Sequence, residues 1–398
     1  MNVKRHEARG ERRRPRYWRL RAVVRITAEA LVTLADHVLP KRGDTILIGS
    51  NHGQSFNGNA YFLFLYLIRS NRGHVRVVTS SPEVRATVES LSPGSSLSSY
   101  SLRTLWSGLR SRSLCFTHTR SDLGILKYLR GPRFVYLNHG IPLKAMGYNK
   151  AYNDPFIKRH GSSFRAITCC SDFEASRWRE SYRLPPSRTW VTGSARNDQL
   201  WSRRDSVLVD LGVEPGRPVV LYAPTFRETG ALETYLPTPD LDVDELESVL
   251  ERFDATLLVR AHPLDSAAAA ASLGTLRSSR IIIADRSRVD DVHELLPSVD
   301  ILIADYSSIY LDFLLLDRPI IFSCYDLDAY QQSRGLSMDY FDHTPGQHVR
   351  DGQEFLHALA TELEGHDPAA AERTRIRSLF HAHTDDGSCA RIADQLLN

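Results

Sequence analysis

Short runs of apolar and β-branched residues recur along the chain and alternate with longer segments of helical periodicity. Runs of this length predict buried strands, and their alternation with helices predicts doubly wound parallel sheets. The predicted strands of the first half are 45–49, 75–79, 114–117, 134–137, 166–168 and 189–191. Those of the second half are 219–222, 256–259, 281–283, 301–304 and 320–323.

The two series of strands are separated by a charged stretch over residues 201–218, which contains Gly212, Pro215 and Gly216. A chain of 398 residues is long for a single hydrophobic core. We therefore predict two α/β domains that face each other across a cleft. Their predicted limits are 41–205 and 206–398, after a helical segment over 1–40.

The first 40 residues differ from the rest. Arg12, Arg13 and Arg14 precede Trp18, and apolar positions continue at helical spacing through Val38. This basic amphipathic segment is predicted either to lie on an anionic membrane surface or to pack on the first domain with its arginines in solvent. Because the sequence has no run of eighteen apolar residues, a membrane-spanning helix is not predicted.

Composition excludes some classes of function. With 42% hydrophobic residues, 24% charged residues and a net charge of +3, the chain reads as an ordinary globular protein without the basic surface of a nucleic-acid binder. Its five cysteines show neither C-x-x-C spacing nor an even count, which favours a reducing compartment.

One strand end has the chemistry of a phosphate site. The predicted strand 301–304 ends in Asp305-Tyr306-Ser307-Ser308, and an apolar helical segment, 309–316, follows at once. A strand that turns directly into a helix presents unpaired backbone N–H groups, two hydroxyls and the positive end of the helix dipole to one place. The simpler alternative is that one serine only caps the helix.

Polar motifs also follow four other predicted strands. Since open α/β sheets bind ligands at the carboxyl ends of their strands, we expect these motifs to line the cleft. They are Asn138-His139-Gly140, Gly193-Ser194-Ala195-Arg196-Asn197-Asp198, Ala223-Pro224-Thr225-Phe226-Arg227 and Arg260-Ala261-His262-Pro263.

Together, and in this order, the motifs resemble those of the CDP-glycerol glycerophosphotransferase family, whose members prime and polymerise teichoic acids and related capsules. The resemblance runs from about Ile46 to the end of the chain. It is carried by His139-Gly140-x-Pro142-Leu143-Lys144, the Gly193–Asp198 motif, Tyr222-Ala223-Pro224-Thr225, Arg260-x-His262-Pro263, Asp305-Tyr306-Ser307-Ser308, Tyr325-Asp326-Leu327, His381-x-x-x-Asp385-Asp386-Gly387 and Arg391. One departure is Ala195, where the family usually has proline.

The resemblance implies a GT-B-like α/β fold, with two facing Rossmann-like domains, a central cleft and a C-terminal helix that crosses back to the first domain. It also implies transfer of a polyol phosphate, most simply glycerol phosphate, from a CDP-polyol to a hydroxyl of a lipid-linked or growing polymer, with release of CMP. The acceptor hydroxyl must lose a proton, and the charge on the departing phosphate must be neutralised.

The predicted roles follow from these two needs and from the resemblance. His139 is the expected general base, with Asn138 and Lys144 on the acceptor side. His262 is expected beside the donor phosphates, as a cation or acid. The remaining donor-binding residues are Arg196 on the pyrophosphate, Ser307 and Ser308 as donors to it, Thr225 and Arg227 on the nucleotide side, and Asp305 on the loop or a donor hydroxyl. Arg227 and Asp305 have structural alternatives, as a surface arginine and a helix-cap partner.

No Asp-x-Asp follows a predicted strand in the manner of a metal-dependent nucleotide-sugar enzyme, so we predict chemistry without a bound metal and without another cofactor. The expected partners are the CDP-polyol, the polymer acceptor and the membrane surface at its cytoplasmic face, and an oligomer is compatible with the sequence. Two other functions stay open here: a GT-B glycosyltransferase that uses a nucleotide sugar, and a membrane-bound scaffold without catalysis.

Overall fold

The computed structural model describes residues 32, 34–36, 38–143, 164–225, 235–262, 265–274, 276, 278–336 and 338–398. The predictions for Arg12, Arg13, Arg14, Trp18, Lys144 and Arg227 lie outside the described residues.

Seven parallel strands form the first sheet of the described chain, in the order β3-β2-β1-β4-β5-β6-β7. Their bounds are β1 Arg42–Gly49, β2 His74–Thr79, β3 Ser96–Ser98, β4 Ser111–Phe116, β5 Arg133–Tyr136, β6 Ala166–Cys169 and β7 Thr189–Val191. The strand order reverses between β1 and β4, and this reversal is where doubly wound sheets open a crevice at their carboxyl edge.

The second sheet has six described strands, also parallel, in the order β10-β9-β8-β11-β12-β13. They are β8 Val219–Tyr222, β9 Thr256–Val259, β10 Ile281–Ile283, β11 Ile301–Ala304, β12 Ile320–Ser323 and β13 Gln347–Val349. Here the order reverses between β8 and β11.

Helices cover both faces of each sheet. The α-helices are α1 Gly58–Arg69, α2 Pro82–Leu91, α3 Leu102–Arg110, α4 Asp172–Tyr182, α5 Asp205–Asp210, α6 Val243–Arg252, α7 Ser266–Leu273, α8 Ile309–Phe313, α9 Leu327–Arg334, α10 Tyr340–His343, α11 Gly352–Leu363, α12 Ala370–Phe380 and α13 Ser388–Leu397. The 3₁₀ turns are Asn51–Gly53, Arg120–Tyr128, Pro186–Arg188, Ala195–Trp201, Val292–Glu294, Leu296–Ser298 and Leu314–Leu316. Ser81, Ser101 and Ser171 cap α2, α3 and α4 by accepting hydrogen bonds from main-chain N–H groups.

All eleven predicted strands are present, with ends that shift by a few residues at most. Two strands were missed, β3 and β13. Both are short and lie at sheet edges, and both contain polar residues, so neither shows the apolar run that identified the others. The helix predicted over 309–316 is α8 continued by the 3₁₀ turn Leu314–Leu316.

The C-terminal helix crosses back to the first domain, as predicted. Phe380 at the end of α12 packs in a core cluster of the second sheet, whereas Ile392 and Leu396 of α13 pack with Ile46 and Ile48 of β1. Asp198 fixes the start of α13, because its two carboxylate oxygens accept hydrogen bonds from Ser388 N and Cys389 N at 2.9 and 2.8 Å.

The 3₁₀ segment Ala195–Trp201 joins the two halves. Ala195 packs in the core beside the first sheet, and Leu200 packs in the core beside the second. The domain limits at 205 and 206 stay a prediction, although Leu208 and Leu211 already belong to the second core.

Near the N-terminus, Val32, Ala35 and Leu39 pack against the core beside α3, while Leu34 and Val38 are exposed. Within the described ranges, no helix combines the length and the hydropathy needed to cross a membrane.

Candidate active site

Three histidines follow strands at the carboxyl edge of the first sheet. His52 comes after β1, His118 after β4 and His139 after β5, and all three are exposed. The fully buried Asp122 organises the first two, because its carboxylate accepts hydrogen bonds from His52 N at 3.0 Å and His118 N at 2.8 Å. The structure therefore places His139 at the sheet's crevice, together with two histidines that the sequence analysis missed.

Hydrogen bonding fixes which nitrogen of His139 carries its proton. Nδ1 lies 3.0 Å from the carbonyl oxygen of Thr117, which can only accept, so Nδ1 is the protonated nitrogen. The lone pair of the neutral ring is then on Nε2. The ring stacks on His118, with 4.7 Å between centroids and planes 6° apart.

The neutral state of His139 is favoured. Although part of the His139 residue reaches solvent, its ring nitrogen Nδ1 lies in a part-buried position, and this desolvation lowers the pKa of His139 below its ordinary value; the neighbouring His118 and Arg196 act in the same direction. Nε2 is accordingly unprotonated at neutral pH and can accept a proton.

The loop that carries His139 is held in an unusual backbone conformation. Asn138 has a φ of 62° and Gly140 a φ of 147°. Asn138 is buried, its side-chain oxygen accepts from His139 N at 2.8 Å, and its amide donates to Glu174 at 3.1 Å. Asn138, predicted on the acceptor side, thus supports the loop from within; acceptor contact by this residue stays a prediction.

On the second sheet, Thr225 and Asp305 meet where the strand order reverses. Asp305 is buried, and its carboxylate accepts from Thr225 N at 2.8 Å and from Thr225 Oγ1 at 2.6 Å. It also accepts from Tyr306 N at 2.6 Å and Ser307 N at 3.2 Å. Of the two predicted roles for Asp305, the geometry supports the structural one, which is to hold the loop.

These contacts correct one expectation for the serine turn. The N–H groups of Tyr306 and Ser307 point to Asp305, and Ile309 N lies 3.4 Å from Ser307 Oγ, so they are not unpaired donors. The carboxylate of Asp305 already accepts the hydrogen bonds of Tyr306 N and Ser307 N in the absence of a ligand. Both serines remain half-buried in the cleft, and their contact with the donor stays a prediction.

Arg196 lies between the two domains. Its guanidinium donates to the carboxylate of Asp312 through Nη2 and to the carbonyl oxygen of His139 through Nη1 at 2.7 Å. A Cβ atom on Gly140 would lie 3.1 Å from Arg196 Nη2 and 3.5 Å from Ser308 Oγ, so the His139 loop, Arg196 and the serine turn are neighbours. These two contacts use two of the five N–H donors of the guanidinium, and contact between Arg196 and a pyrophosphate stays a prediction.

His262 and Arg260 follow β9 and have different environments. His262 is exposed. Arg260 is buried, and its guanidinium donates to the carbonyl oxygens of Ala284 at 2.8 Å, Val289 at 2.5 Å and Asp290 at 3.1 Å. Arg260 therefore shapes the loop after β10 rather than facing a ligand.

Comparison with known proteins decides the family. Residues 31–398 match the family described as CDP-glycerol:poly(glycerophosphate) glycerophosphotransferase. The chain belongs to this family. The predicted GT-B-like fold and the predicted class of reaction, transfer of a polyol phosphate in teichoic acid polymer synthesis, are confirmed, and a nucleotide-sugar glycosyltransferase is not supported.

Individual relatives agree. The teichoic acid glycerol-phosphate transferase of Staphylococcus aureus is 28% identical over 274 residues, which cover 63% of this chain and 67% of that protein. The teichoic acid poly(ribitol-phosphate) polymerase of Bacillus spizizenii is 26% identical over 293 residues, 68% of this chain but only 44% of the relative. A solved structure of a variant of the wall teichoic acid polymerase TagF matches with a TM-score of 0.76 at 22% identity over 95% of each chain, which shows the shared fold.

Several motif residues of this family member stabilise the architecture. Arg391 donates to Thr192 O at 2.9 Å and pairs with Asp385, and His381 lies 2.6 Å from Leu311 O through Nε2. The sequence analysis also missed His293 and Asp312, which are buried behind Arg196 and carry no motif of their own.

Proposed function

We propose that this chain transfers glycerol phosphate from CDP-glycerol to a hydroxyl of a lipid-linked or growing polymer, and that His139 is the general base. The observation that carries the proposal is the hydrogen bond from His139 Nδ1 to Thr117 O at 3.0 Å, which leaves Nε2 as the basic nitrogen. The lowered pKa of His139 keeps that nitrogen unprotonated at neutral pH.

In the proposed reaction the acceptor hydroxyl gives its proton to His139 Nε2 while its oxygen attacks the phosphorus that bears glycerol. The bond from that phosphorus to the oxygen bridging to CMP breaks, and CMP leaves with the bonding electrons. The products are the phosphodiester-extended polymer and CMP. The imidazolium of His139 then returns its proton to solvent.

On the donor side, the crevice between β8 and β11 is the proposed place of the CDP group. Ser307 and Ser308 lie there beside Thr225, whose loop Asp305 holds. Hydroxyl groups of this kind bind phosphate oxygens. His262 is proposed as the acid or cation that assists the departure of CMP, because it is exposed at the end of the neighbouring strand β9.

Glycerol is the polyol that we propose over ribitol. One observation supports this choice: the family description names glycerophosphate.

Replacing the base tests the reaction directly. We expect His139→Ala to lower CMP release by about 10²–10⁴-fold, because proton removal from the acceptor is lost, while CDP-glycerol affinity changes little. The assay measures CMP and the mass of the product formed from CDP-glycerol and a lipid-linked acceptor. His366→Ala is the matched control, since His366 is exposed near the end of α11. Full activity in His139→Ala would remove His139 from the mechanism.

A second test concerns the serine turn. Replacing Ser307 and Ser308 by alanine removes both hydroxyls from the crevice, so we expect weaker binding of CDP-glycerol and of CMP in calorimetry. Ser287→Ala serves as the control, because Ser287 is exposed and bonds to Asp285. A CMP dissociation constant equal to that of the unchanged protein would place the phosphates elsewhere.

Docking of residues 1–40 on the cytoplasmic face of the membrane is a further part of the proposal. Each arginine near an anionic surface contributes about 1 kcal/mol, so those between Arg12 and Arg25 together supply several kcal/mol. Deletion of residues 1–25 is expected to release the protein from anionic vesicles in a sedimentation assay and to leave CDP-glycerol binding unchanged. If the shortened chain sediments as the full chain does, the folded domains carry the membrane contact.

A further inference from the structure

A series of four ionisable side chains, three of them buried, connects the two domains behind the proposed site. Asp291 Oδ1 lies 2.9 Å from His293 Nδ1, and His293 Nε2 lies 3.0 Å from Asp312 Oδ2. The same Asp312 oxygen accepts from Arg196 Nη2. His293, Asp312 and Arg196 are 7%, 1% and 8% exposed, respectively, so water contributes little to their stabilisation.

The geometry determines the charge of His293. Both ring nitrogens face carboxylate oxygens, which can only accept hydrogen bonds, so each nitrogen must carry a proton. His293 is then a cation. Two carboxylates, Asp291 and Asp312, are thereby balanced by two cations, His293 and Arg196, and the series is neutral as a whole.

The surrounding charges support this assignment. Burial and Arg196 oppose a charged ring, but Asp291 and Asp312 outweigh them and raise the pKa of His293 above its ordinary value. Burial alone would raise the pKa of Asp312, yet Arg196 and His293 hold it well below its usual range. Groups on neighbouring elements also interact electrostatically with the two carboxylates: Glu294 with Asp291, and His381 and Glu174 with Asp312.

At one end, this series of side chains contacts the loop that carries the proposed base. Arg196 donates to Asp312 on one side and to the carbonyl oxygen of His139 on the other, the latter at 2.7 Å. At its opposite end, Asp291 accepts from Gly58 N of the first domain at 3.1 Å. The two domains are therefore hydrogen-bonded to each other at two places. One of these involves the backbone of His139, which lies between Asn138 and Gly140, two residues with positive φ angles.

We propose that His293 is a positioning residue for the transfer reaction: as a cation it fixes the Asp312 carboxylate, which holds Arg196 against the carbonyl oxygen of His139 and so sets the place of the base relative to the donor domain. His293 is buried and acts through Asp312 and Arg196 in this proposal. The inference rests on the proposed function, in which His139 is the general base.

His293→Gln removes the cation and keeps one amide donor of similar length. We expect turnover to fall about 10- to 100-fold, because a displaced base loses alignment with the acceptor, while the KM for CDP-glycerol stays within about twofold. Rates are divided by the number of CMP-binding sites counted by calorimetry, so that unfolded protein does not count as slow protein. His357→Gln, at an exposed position of α11, is the matched control and is expected to behave as the unchanged chain.

A kcat for His293→Gln equal to that of the unchanged chain overturns the positioning role. So does a loss that disappears when rates are divided by the binding sites, since that result describes damage to the fold.

Ring-nitrogen NMR of the full chain with ¹⁵N-labelled histidine tests the charge without any activity. We expect one histidine with both ring nitrogens protonated at about pH 7.5, well above the ordinary pKa of histidine, and its signals to be missing in His293→Gln. The His139 signals, assigned with His139→Ala, are expected to shift in His293→Gln and to stay in place in His357→Gln. A neutral His293, or unmoved His139 signals, overturns the inference. If the unchanged chain releases no CMP from CDP-glycerol, the proposed function fails and these spectra alone decide on His293.

Discussion

The guanidinium of Arg196 is the contact on which the arrangement of the site depends. It donates to a carboxylate of the second domain, Asp312, and to a main-chain carbonyl of the first, that of His139. Removing one partner of a buried ion pair typically costs about 3–5 kcal/mol, because the remaining charge is left without compensation. The two domains are thus joined by an ion pair that is stable only when the domains are positioned so that Arg196 and Asp312 meet. In this relative position of the domains, the His139 loop lies beside the serine turn, because a Cβ atom on Gly140 would be 3.5 Å from Ser308 Oγ.

A second set of contacts gives the crevice of each domain a different chemistry. In the first domain, the carbonyl oxygen of Thr117 accepts from His139 Nδ1 and leaves Nε2 as the basic nitrogen, while desolvation and the neighbouring His118 lower the pKa of His139. In the second domain, Asp305 uses its buried carboxylate to gather Thr225, Tyr306 and Ser307 into one turn. In the proposed reaction, proton removal takes place at the first sheet and phosphate binding at the second, and the two sheets face each other across the cleft. This division is consistent with the family's reaction, in which the acceptor and the leaving nucleotide lie on opposite sides of one phosphorus.

The strands could be predicted from sequence because buried parallel strands are apolar on both faces, as in Ile301–Ala304 and Val219–Tyr222. The edge strands Ser96–Ser98 and Gln347–Val349 lack that signal and were missed. The position of the cleft followed from polar motifs at strand ends. The identity of each motif residue did not reveal its task, because a residue that supports a loop and one that touches substrate are both polar: Arg260, Asp305 and Asp198 prove to hold the main chain. His293 and Asp312 could not be found at all, because neither belongs to a motif and because their partner Arg196 reaches Asp312 from the other domain.

The claim that Arg196 and Asp312 act as one unit on the His139 loop is tested most directly by a double-mutant cycle on turnover. Arg196→Gln, Asp312→Asn and the double variant are compared with the unchanged chain in CMP release at saturating CDP-glycerol. If the two residues form one unit, the double variant turns over within about threefold of the slower single variant, because the second substitution removes a contact already lost. If the two losses multiply instead, and Arg196→Gln also raises the KM for CDP-glycerol, Arg196 acts on the donor independently of Asp312 and the account is contradicted.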